Sequence, residues 1–337
     1  MMRQLAPGQI TRVLIGGPHL PQPQVLAEVD DVLLEAPNWT GDGRLLLNGD
    51  GALFALVLGD EGGQGGGGEQ RAGAPVRIPF EGLPAINNDH VLHPDGTRVL
   101  MTAEDGQIYS GRIDTRQLEA GQLGGGPVRC LTSGPGGHYL HGISPNGRTI
   151  AYVDLGPEGS AHLMLQDLEA GEVRELPVGE GHLDGPGFTP DGAAIVLNTE
   201  AFTEEPGHAQ LARIDLATSP GPGTPLGPET SPALGASPGQ ERLRRLCHSE
   251  SVDWFPHVSP DGRWASYLAY PPGTVGHPAD LPVEVRVVST DDWETPVVRY
   301  PVFGGQGTLN VPSWAPDSQR FAFVAYPFEN TTRASDE

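Results

Sequence analysis

Residues 253–263 read Asp253-Trp254-Phe255-Pro256-His257-Val258-Ser259-Pro260-Asp261-Gly262-Arg263, and this stretch decides the fold. It predicts a short strand, a tight turn at Pro260-Asp261-Gly262, and a second strand over residues 264–268. Proline presets φ at the first corner of a turn, aspartate bonds its own backbone, and glycine takes the corner that other residues avoid. The stretch is therefore typical of two β-strands joined by a tight turn.

The same turn signal occurs six times along the chain. Counted at its proline, or at Gly41 in the first copy, it stands at positions 41, 94, 145, 190, 260 and 316. The intervals are 53, 51, 45, 70 and 56 residues, and a local signature recurring roughly every 40–50 residues is typical of propellers and other repeat arrays. We therefore predict an all-β, six-bladed β-propeller with four-stranded antiparallel blades, formed as a single domain by residues 1–337.

The two ends of the chain are predicted to complete one blade. After the last turn the sequence has a strand at 321–324 but no further strands, whereas residues 10–15 and 24–27 are spare strand candidates. Joining the ends gives a sixth blade closed by the N-terminal strands within residues 10–27, and no sheet edge stays open between the first and last units. No sustained helical periodicity is present, so almost no helix is expected.

Three segments interrupt the repeat. The glycine-rich residues 61–75 and the Pro/Gly-rich residues 218–240 predict flexible insertions, and the second of these explains the interval of 70 residues. The polar residues 329–337 predict a disordered tail.

The chain is strongly acidic, with a formal net charge of −23. Such a surface repels nucleic acid and anionic membranes, and no basic stripe offsets it, so we expect neither as a partner. Cys130 and Cys247 form no metal-binding spacing. No secretory signal and no apolar stretch of membrane-spanning length is visible, so we expect a cytoplasmic protein without membrane insertion.

One position of the repeat, six residues before each turn, holds mostly polar residues: Glu35, Asn88, Tyr139, Asp184, Trp254 and Asn310. In a propeller, the loops that lead into the first strand of each blade and those between the second and third strands emerge on one face. Side chains from all blades should therefore converge on one channel mouth, and concave sites with a few convergent polar groups commonly bind ligands. The candidate ligand-binding residues are Glu35, Asn88, Asp89, His90, His141, Asp184, Asp253, Trp254, His257, His277, Asp280, Gln306 and Asn310.

Four histidines of this set, His90, His141, His257 and His277, are candidate ligands of a divalent metal ion, since neutral imidazole suits Mn, Zn and related ions. Every candidate also has a structural interpretation. Aspartate and asparagine at strand starts cap turns, a histidine can be a buried packing residue, and Trp254 is either a core residue or a stacking platform for a sugar ring. The sequence leaves these alternatives open.

The six turns resemble those of the TolB-type six-bladed β-propellers, over residues 10–327. The segments Glu35-Ala36-Pro37-Asn38-Trp39, His138-Tyr139-Leu140-His141-Gly142 and Asp253-Trp254-Phe255-Pro256-His257 further resemble a bacterial subfamily of stand-alone TolB-like propellers. The resemblance implies the fold and assigns no activity. TolB itself carries a signal peptide and an α/β domain ahead of its propeller, and neither is visible in this sequence, so a role in the Tol-Pal system is a lesser alternative.

Three functions are compatible with this pattern. We favour a monomeric binding module whose polar, His-rich mouth holds a small polar ligand, such as a carbohydrate, or a protein partner. A resemblance to the oligogalacturonate lyases, propellers with His and Gln around a metal at the channel mouth, implies a metal-assisted carbohydrate lyase. There the metal would stabilise an enolate while a histidine removes the α-proton. The third function is a scaffold in a protein assembly.

Overall fold

The structure is a computed structural model of the 337-residue chain, and it describes residues 3–59, 71–113, 125–156, 158–216 and 243–329. The predicted insertion 218–240, most of the insertion 61–75 and all but the first residue of the tail 329–337 lie outside these ranges. Residues 71–75 are described, and the backbone amides of Ala72 and Gly73 donate hydrogen bonds to the carbonyls of Leu26 and Val57. This end of the first insertion therefore pairs with neighbouring strands.

Within the described ranges the chain forms 23 β-strands and no α-helix, as predicted. None of these residues therefore forms a helix that could cross a membrane. Blade 1 contains β3 (Leu34–Trp39), β4 (Leu45–Gly49), β5 (Ala52–Leu56) and β6 (Val76–Ile78), and blade 2 contains β7 (Ile86–Leu92), β8 (Arg98–Ala103), β9 (Ile108–Arg112) and β10 (Arg129–Cys130).

The remaining blades follow in chain order. Blade 3 contains β11 (Gly137–Ile143), β12 (Thr149–Leu155), β13 (Ala161–Asp167) and β14 (Val173–Leu176), and blade 4 contains β15 (Leu183–Phe188), β16 (Ala194–Thr199), β17 (Gln210–Asp215) and β18 (Leu243–Arg245). Blade 5 contains β19 (Val252–Val258), β20 (Trp264–Tyr270), β21 (Leu281–Ser289) and β22 (Val298–Gly304), and blade 6 contains β1 (Thr11–Gly16), β2 (Gln24–Val29) and β23 (Phe321–Ala325). The first strand of blades 1–5 is the inner one, and successive inner strands pack against each other around the channel.

Blade 6 is closed by the N-terminal strands, as the sequence predicts. Strand β1 lies between β2 and β23 and is antiparallel to both, with Leu14 opposite Phe323. The described sheet has three strands, because the inner strand of this blade is reduced to one backbone bridge between Trp314 and Phe321. The expected fourth strand is thus present only as this bridge, and Ala322 N–H also bonds the Ser313 carbonyl.

The recurring turn is held by its own side chains. In blade 5, Ser259 Oγ donates to Asp261 Oδ1 at 2.6 Å and accepts a hydrogen bond from Trp264 N–H at 3.0 Å. Gly262 has a φ of +75°, a conformation that L side chains rarely adopt, and its N–H bonds the Ser259 carbonyl at 2.8 Å. This pattern explains why the turn keeps a hydroxyl residue, an aspartate and a glycine in most of its copies.

Each inner strand of blades 1–5 carries a register shift next to the position of the mouth residue. In three of them the residue before a proline has a positive φ: Ala36 (+52°), Gly185 (+60°) and Phe255 (+55°). Such bulges change which face of the strand a side chain points to and increase the local twist. The bulges therefore decide which residues of the inner strands reach the channel.

The core lies between neighbouring blades, where apolar side chains from adjacent sheets interdigitate. The cluster between blades 5 and 6 includes Leu14, Phe321 and Phe323, together with Trp254 and Tyr300, all buried. A second cluster joins blade 6 to blade 1 through Val13, Ile15 and residues of β3 and β4. Strand β1 therefore supplies side chains to the cores on both of its sides.

We expect Leu14→Ala to lower the free energy of unfolding by about 2–5 kcal/mol, because it removes a buried side chain from the closing strand and leaves a cavity. Urea denaturation followed by tryptophan fluorescence measures this change. Val25 on the neighbouring strand β2 is 44% exposed, so Val25→Ala is the matched control and should stay within about 0.5 kcal/mol of the wild type. Equal effects of the two substitutions would contradict the closure described above.

Candidate functional site

The end of the channel opposite the Pro-Asp-Gly turns carries a buried ion pair, and we call this end the mouth. His141 of blade 3 lies with Nε2 2.7 Å from Oδ1 of Asp184 of blade 4, at an angle outside that of an ordinary hydrogen bond. Its Nδ1 lies 3.9 Å from Oδ1 of Asp89 of blade 2 and 3.4 Å from the Asn310 carbonyl. One imidazole thus connects three inner strands with the chain segment that leads into blade 6.

His277 joins this group from the loop between β20 and β21 of blade 5. Its Nε2 lies 3.5 Å from Oδ2 of Asp184, and its side chain is 25% exposed. The ring packs edge-on against Trp254, with 4.5 Å between centroids, and against Phe255, at 5.3 Å. His277 therefore lies at the same rim as the inner-strand residues, as the blade topology predicts.

The segment 306–310 covers the mouth from the side of blade 6. Gln306 Nε2 donates to Oδ1 of Asn88 at 3.3 Å, and the Gly307 amide donates to Oδ1 of Asn310 at 2.8 Å. The Ala36 amide bonds the Gly307 carbonyl at 2.7 Å, so blade 1 holds the same segment. Asn88, Gln306 and Asn310 therefore belong to one hydrogen-bonded rim, as the sequence predicts.

An arginine that the sequence analysis missed completes the rim. Arg3 contacts Oε1 of Glu35 at 3.3 Å and Oδ1 of Asp280 at 2.7 Å, donates to the Gln306 carbonyl, and lies 4.1 Å from the ring centroid of Tyr326. Arg3 precedes the first repeat, so the periodic pattern gave no signal for it. Its place follows from strand β1, which brings the N-terminal residues to the mouth.

Burial and nearby charges set the protonation of the mouth residues. Burial alone would lower the pKa of His141, but the carboxylates of Asp184 and Asp89 raise it to about 9. The pKa of Asp184 is lowered despite its burial, because His141 lies beside it. Burial raises the pKa of Asp89 to about 6 and that of Glu35 to about 7, the latter in spite of Arg3. Burial lowers the pKa of His277.

Four predicted site residues are almost completely buried: Asp253, Trp254, His90 and His257. Asp253 is fully buried beside blade 4, where its carboxylate accepts from Ser251 Oγ at 2.7 Å in a network that includes Arg286. The bulge in β19 separates it from the channel side. Trp254 is also fully buried and supports the ring of His277. It is a core residue, and the alternative of a stacking platform for a sugar ring is wrong.

The other two are histidines. His90 is fully buried and opposite Met101, with the Leu46 backbone as its polar neighbour, and burial lowers its pKa to about 4. His257 is buried with Nε2 3.0 Å from the Leu309 carbonyl, and it lines a cavity at the turn end of the channel. Of the four histidines, His141 and His277 are the two that contact Asp184, whereas His257 contacts the Leu309 carbonyl and His90 lies beside the Leu46 backbone.

The metal site proposed from the four histidines does not fit these residues. Among the described residues, no group of three or more His, Cys, Asp and Glu side chains is placed to hold a metal ion. The imidazoles of His141 and His277 are both directed at Asp184, and His141 forms an ion pair with it. We therefore derive no metal-assisted step from this geometry.

Comparison with known proteins identifies the family. No family model matches the chain. The uncharacterized protein Atu1656 of Agrobacterium fabrum (strain C58) is 31% identical over 296 residues, which are 87% of this chain and 85% of that protein. A solved structure of a provisionally named TolB from Agrobacterium tumefaciens superimposes with a TM-score of 0.73 and 28% identity, covering 95% of this chain and 99% of the other. The chain belongs to the TolB-like six-bladed β-propellers.

Two further solved structures are more distant from this TolB-like propeller. TolB from Acinetobacter baumannii matches with a TM-score of 0.45 and 15% identity, over 94% of this chain and 64% of the other. A gluconolactonase from Xanthomonas campestris matches with a TM-score of 0.48 and 11% identity, over 88% and 86%. Neither likeness assigns a function to the mouth of this TolB-like propeller.

The ion pair of the TolB-like propeller predicts a pH-dependent stability. The pKa of His141 is raised from 6.5 to about 9, so its contribution is complete below pH 6.5 and is lost as the pH rises through 9. We expect a loss on the order of 3 kcal/mol across this range, at about 1.4 kcal/mol per pH unit. Urea denaturation between pH 6 and 10 measures it as the difference between the wild type and the His141→Gln control, since Glu35 and Asp89 also titrate at the lower end of this range. Parallel curves for the two proteins would contradict the ion pair.

Proposed function

We propose that the protein is a binding module whose channel mouth holds a neutral or positively charged polar ligand, either a small molecule such as an uncharged sugar or a side chain of a partner protein. The observation that carries the proposal is the convergence of polar side chains from blades 1–5 and from segment 306–310 around the His141–Asp184 pair. Concave sites with a few convergent polar groups commonly bind ligands.

The mouth has both accessible and supporting groups. His277 is one-quarter exposed, and Gln306 and Tyr139 are partly buried, so a ligand at the mouth can contact these side chains. Beneath them, His141, Asp89 and Asp184 are buried and tied to each other. Buried partners of this kind hold the accessible groups in fixed positions, which lowers the entropic cost of binding.

The charge of the mouth selects the sign of the ligand. Four carboxylates, from Glu35, Asp89, Asp184 and Asp280, meet two cationic groups, Arg3 and His141. Both cations already contact carboxylates, and the mouth as a whole has an excess of acidic groups. Desolvating an anion beside these groups without a new partner is unfavourable.

The same charge balance argues against the carbohydrate lyase that acts on uronates. A uronate needs a metal ion or an unpaired cation for its carboxylate, and the described residues of the mouth offer neither arrangement. A Tol-Pal-like role, a pure scaffold, a monomeric state, the single-domain assignment and the cytoplasmic location stay predictions from the sequence.

Titration calorimetry with three probes of similar size tests the proposal: cellobiose, the dipeptide Lys-Lys amide, and digalacturonate. We expect saturable binding of the neutral or the cationic probe and none of digalacturonate. His277→Ala should weaken that binding about tenfold, because it removes an accessible hydrogen-bonding group. His162→Ala is the matched control, since His162 is 42% exposed and pairs with Glu175 on an outer strand.

Two results would overturn the proposal. Binding of digalacturonate but of neither other probe would favour the lyase. Loss of that binding on addition of a chelator would strengthen this conclusion. Equal affinity of the wild type and the His277→Ala variant for the bound probe would place the ligand elsewhere on the propeller.

A further inference from the structure

The guanidinium of Arg3 lies among four groups at the edge of the mouth, and we call these groups the Arg3 box. Its Nη1 donates to Oε1 of Glu35 at 3.3 Å and to the Gln306 carbonyl at 3.2 Å, and its Nη2 donates to Oδ1 of Asp280 at 2.7 Å. The guanidinium carbon lies 4.1 Å from the ring centroid of Tyr326. Blade 1, the loop between β20 and β21, and the segments after β22 and β23 thus each supply one wall of the box.

The walls of the Arg3 box are held by contacts that do not involve Arg3. The hydroxyl of Tyr326 donates to the Leu34 carbonyl at 3.2 Å, and Nδ2 of Asn48 donates to Oε2 of Glu35 at 3.3 Å. Gly307 has a φ of +87°, and a β-carbon at this position would overlap Oε1 of Glu35, so a glycine lets the segment lie against this carboxylate. These contacts fix the carboxylate and the ring independently of the arginine.

The chemistry of the walls requires a planar cation. Glu35 is buried, and a buried carboxylate left without a counter-charge is strongly unfavourable. Two carboxylates and a carbonyl match the forked donors of a guanidinium, and the face of the Tyr326 ring attracts it further. An alkylammonium is a compact point charge without this fork, and a neutral group leaves the charge of Glu35 unpaired.

The segment that carries Arg3 is largely exposed. Of residues 4–8, Leu5 is half-buried against the core cluster that joins blades 6 and 1, and the others are exposed. The Gly8 carbonyl accepts a hydrogen bond from Glu329 N–H at 2.9 Å. Moving this segment away from the mouth therefore breaks chiefly the contacts of Arg3 and Leu5, and it leaves β1 in place.

We propose that the Arg3 box is a guanidinium-binding subsite of the mouth, in which Arg3 is an internal ligand that an arginine-like ligand displaces. That ligand is either a free guanidine compound or an arginine side chain of a partner protein. The inference rests on the function proposed for the mouth, since Asp280 lies in the same loop as His277, and Gln306 bonds Asn88 of the rim. It narrows the positively charged ligand of the mouth to one that carries a guanidinium.

Rescue of an emptied box tests the subsite. Arg3→Ala should lower the Tm by about 2–4 °C, because it leaves Glu35 without its counter-charge. N-ethylguanidinium, at roughly millimolar concentrations, should restore this loss saturably. The measurement is made at about pH 8.5, because burial raises the pKa of Glu35 to about 7 and the carboxylate has to be ionised. Propylammonium, a cation without the fork, should act at least about tenfold more weakly.

Two variants control for general effects of the probe. Arg12→Ala removes the guanidinium of a surface pair, in which Nε of Arg12 lies 2.7 Å from Oε1 of Glu28, and its Tm should not respond to N-ethylguanidinium. The double variant Arg3→Ala/Glu35→Gln keeps the shape of the box but lacks one charge, so rescue should be at least about tenfold weaker there.

Calorimetry with acetyl-arginine methylamide and with free L-arginine tests displacement and separates the two sources of the guanidinium. The wild type should bind the tighter of the two at least about tenfold more weakly than Arg3→Ala does, because the tethered Arg3 competes with it. Tighter binding of the blocked compound, which resembles a residue within a peptide, indicates a partner protein. Tighter binding of free arginine indicates a small molecule.

Three outcomes would overturn the proposal. N-ethylguanidinium could leave the Tm of Arg3→Ala unchanged, or raise that of Arg12→Ala equally. Propylammonium could rescue Arg3→Ala just as well, which would reduce the box to an acidic patch without a preference for guanidinium. Finally, the wild type and Arg3→Ala could bind the arginine compounds with equal affinity, which would place these ligands outside the box.

The same measurements separate this proposal from the function proposed for the mouth. Rescue without binding of cellobiose or Lys-Lys amide to the wild type would retain the subsite and contradict the wider function. Binding of either compound that depends on His277, together with failed rescue of Arg3→Ala, would retain the function and contradict the subsite.

Discussion

Backbone pairing between β1 and β23 is the constraint on which the rest of the molecule depends. It turns an open row of sheets into a ring, and it leaves no free edge between the first and last blades. The channel exists only because the ring is closed, and both ends of the channel are lined by inner strands from distant parts of the chain. The pairing also places residues 3–9 over the mouth, where Gln9 and Arg3 both contact Asp280.

The channel of this closed ring has two chemically different ends. At the mouth, the nearby carboxylates of Asp184 and Asp89 keep the imidazole of His141 protonated in spite of its burial, and its charge is balanced by these side chains rather than by solvent. At the turn end, His257 is buried without an ionic partner, and burial lowers its pKa to about 3. Of these two buried imidazoles, His141 is therefore charged and His257 neutral, because carboxylates lie beside His141 alone.

Much of the architecture could be predicted from the sequence, because the turn chemistry of each repeat is local and its spacing is regular. Closure by the N-terminal strands and the arrival of His277 at the rim followed from blade topology alone. The orientation of side chains along the inner strands could not be predicted, since a single bulge moves a residue such as His257 or Asp253 to another face. Arg3 lies outside the repeat, so the periodic pattern of the sequence did not indicate it.

The position of Arg3 has a practical consequence for handling the protein. An extended chain spans at most about 3.3–3.6 Å per residue, so any peptide fused ahead of Met1 begins within roughly 10 Å of the backbone of Arg3, whose guanidinium touches Glu35 and Asp280. An N-terminal affinity tag, and a polyhistidine tag in particular, would introduce foreign imidazoles next to this acidic opening. Purification handles are better removed, or placed elsewhere, before any assay of the opening.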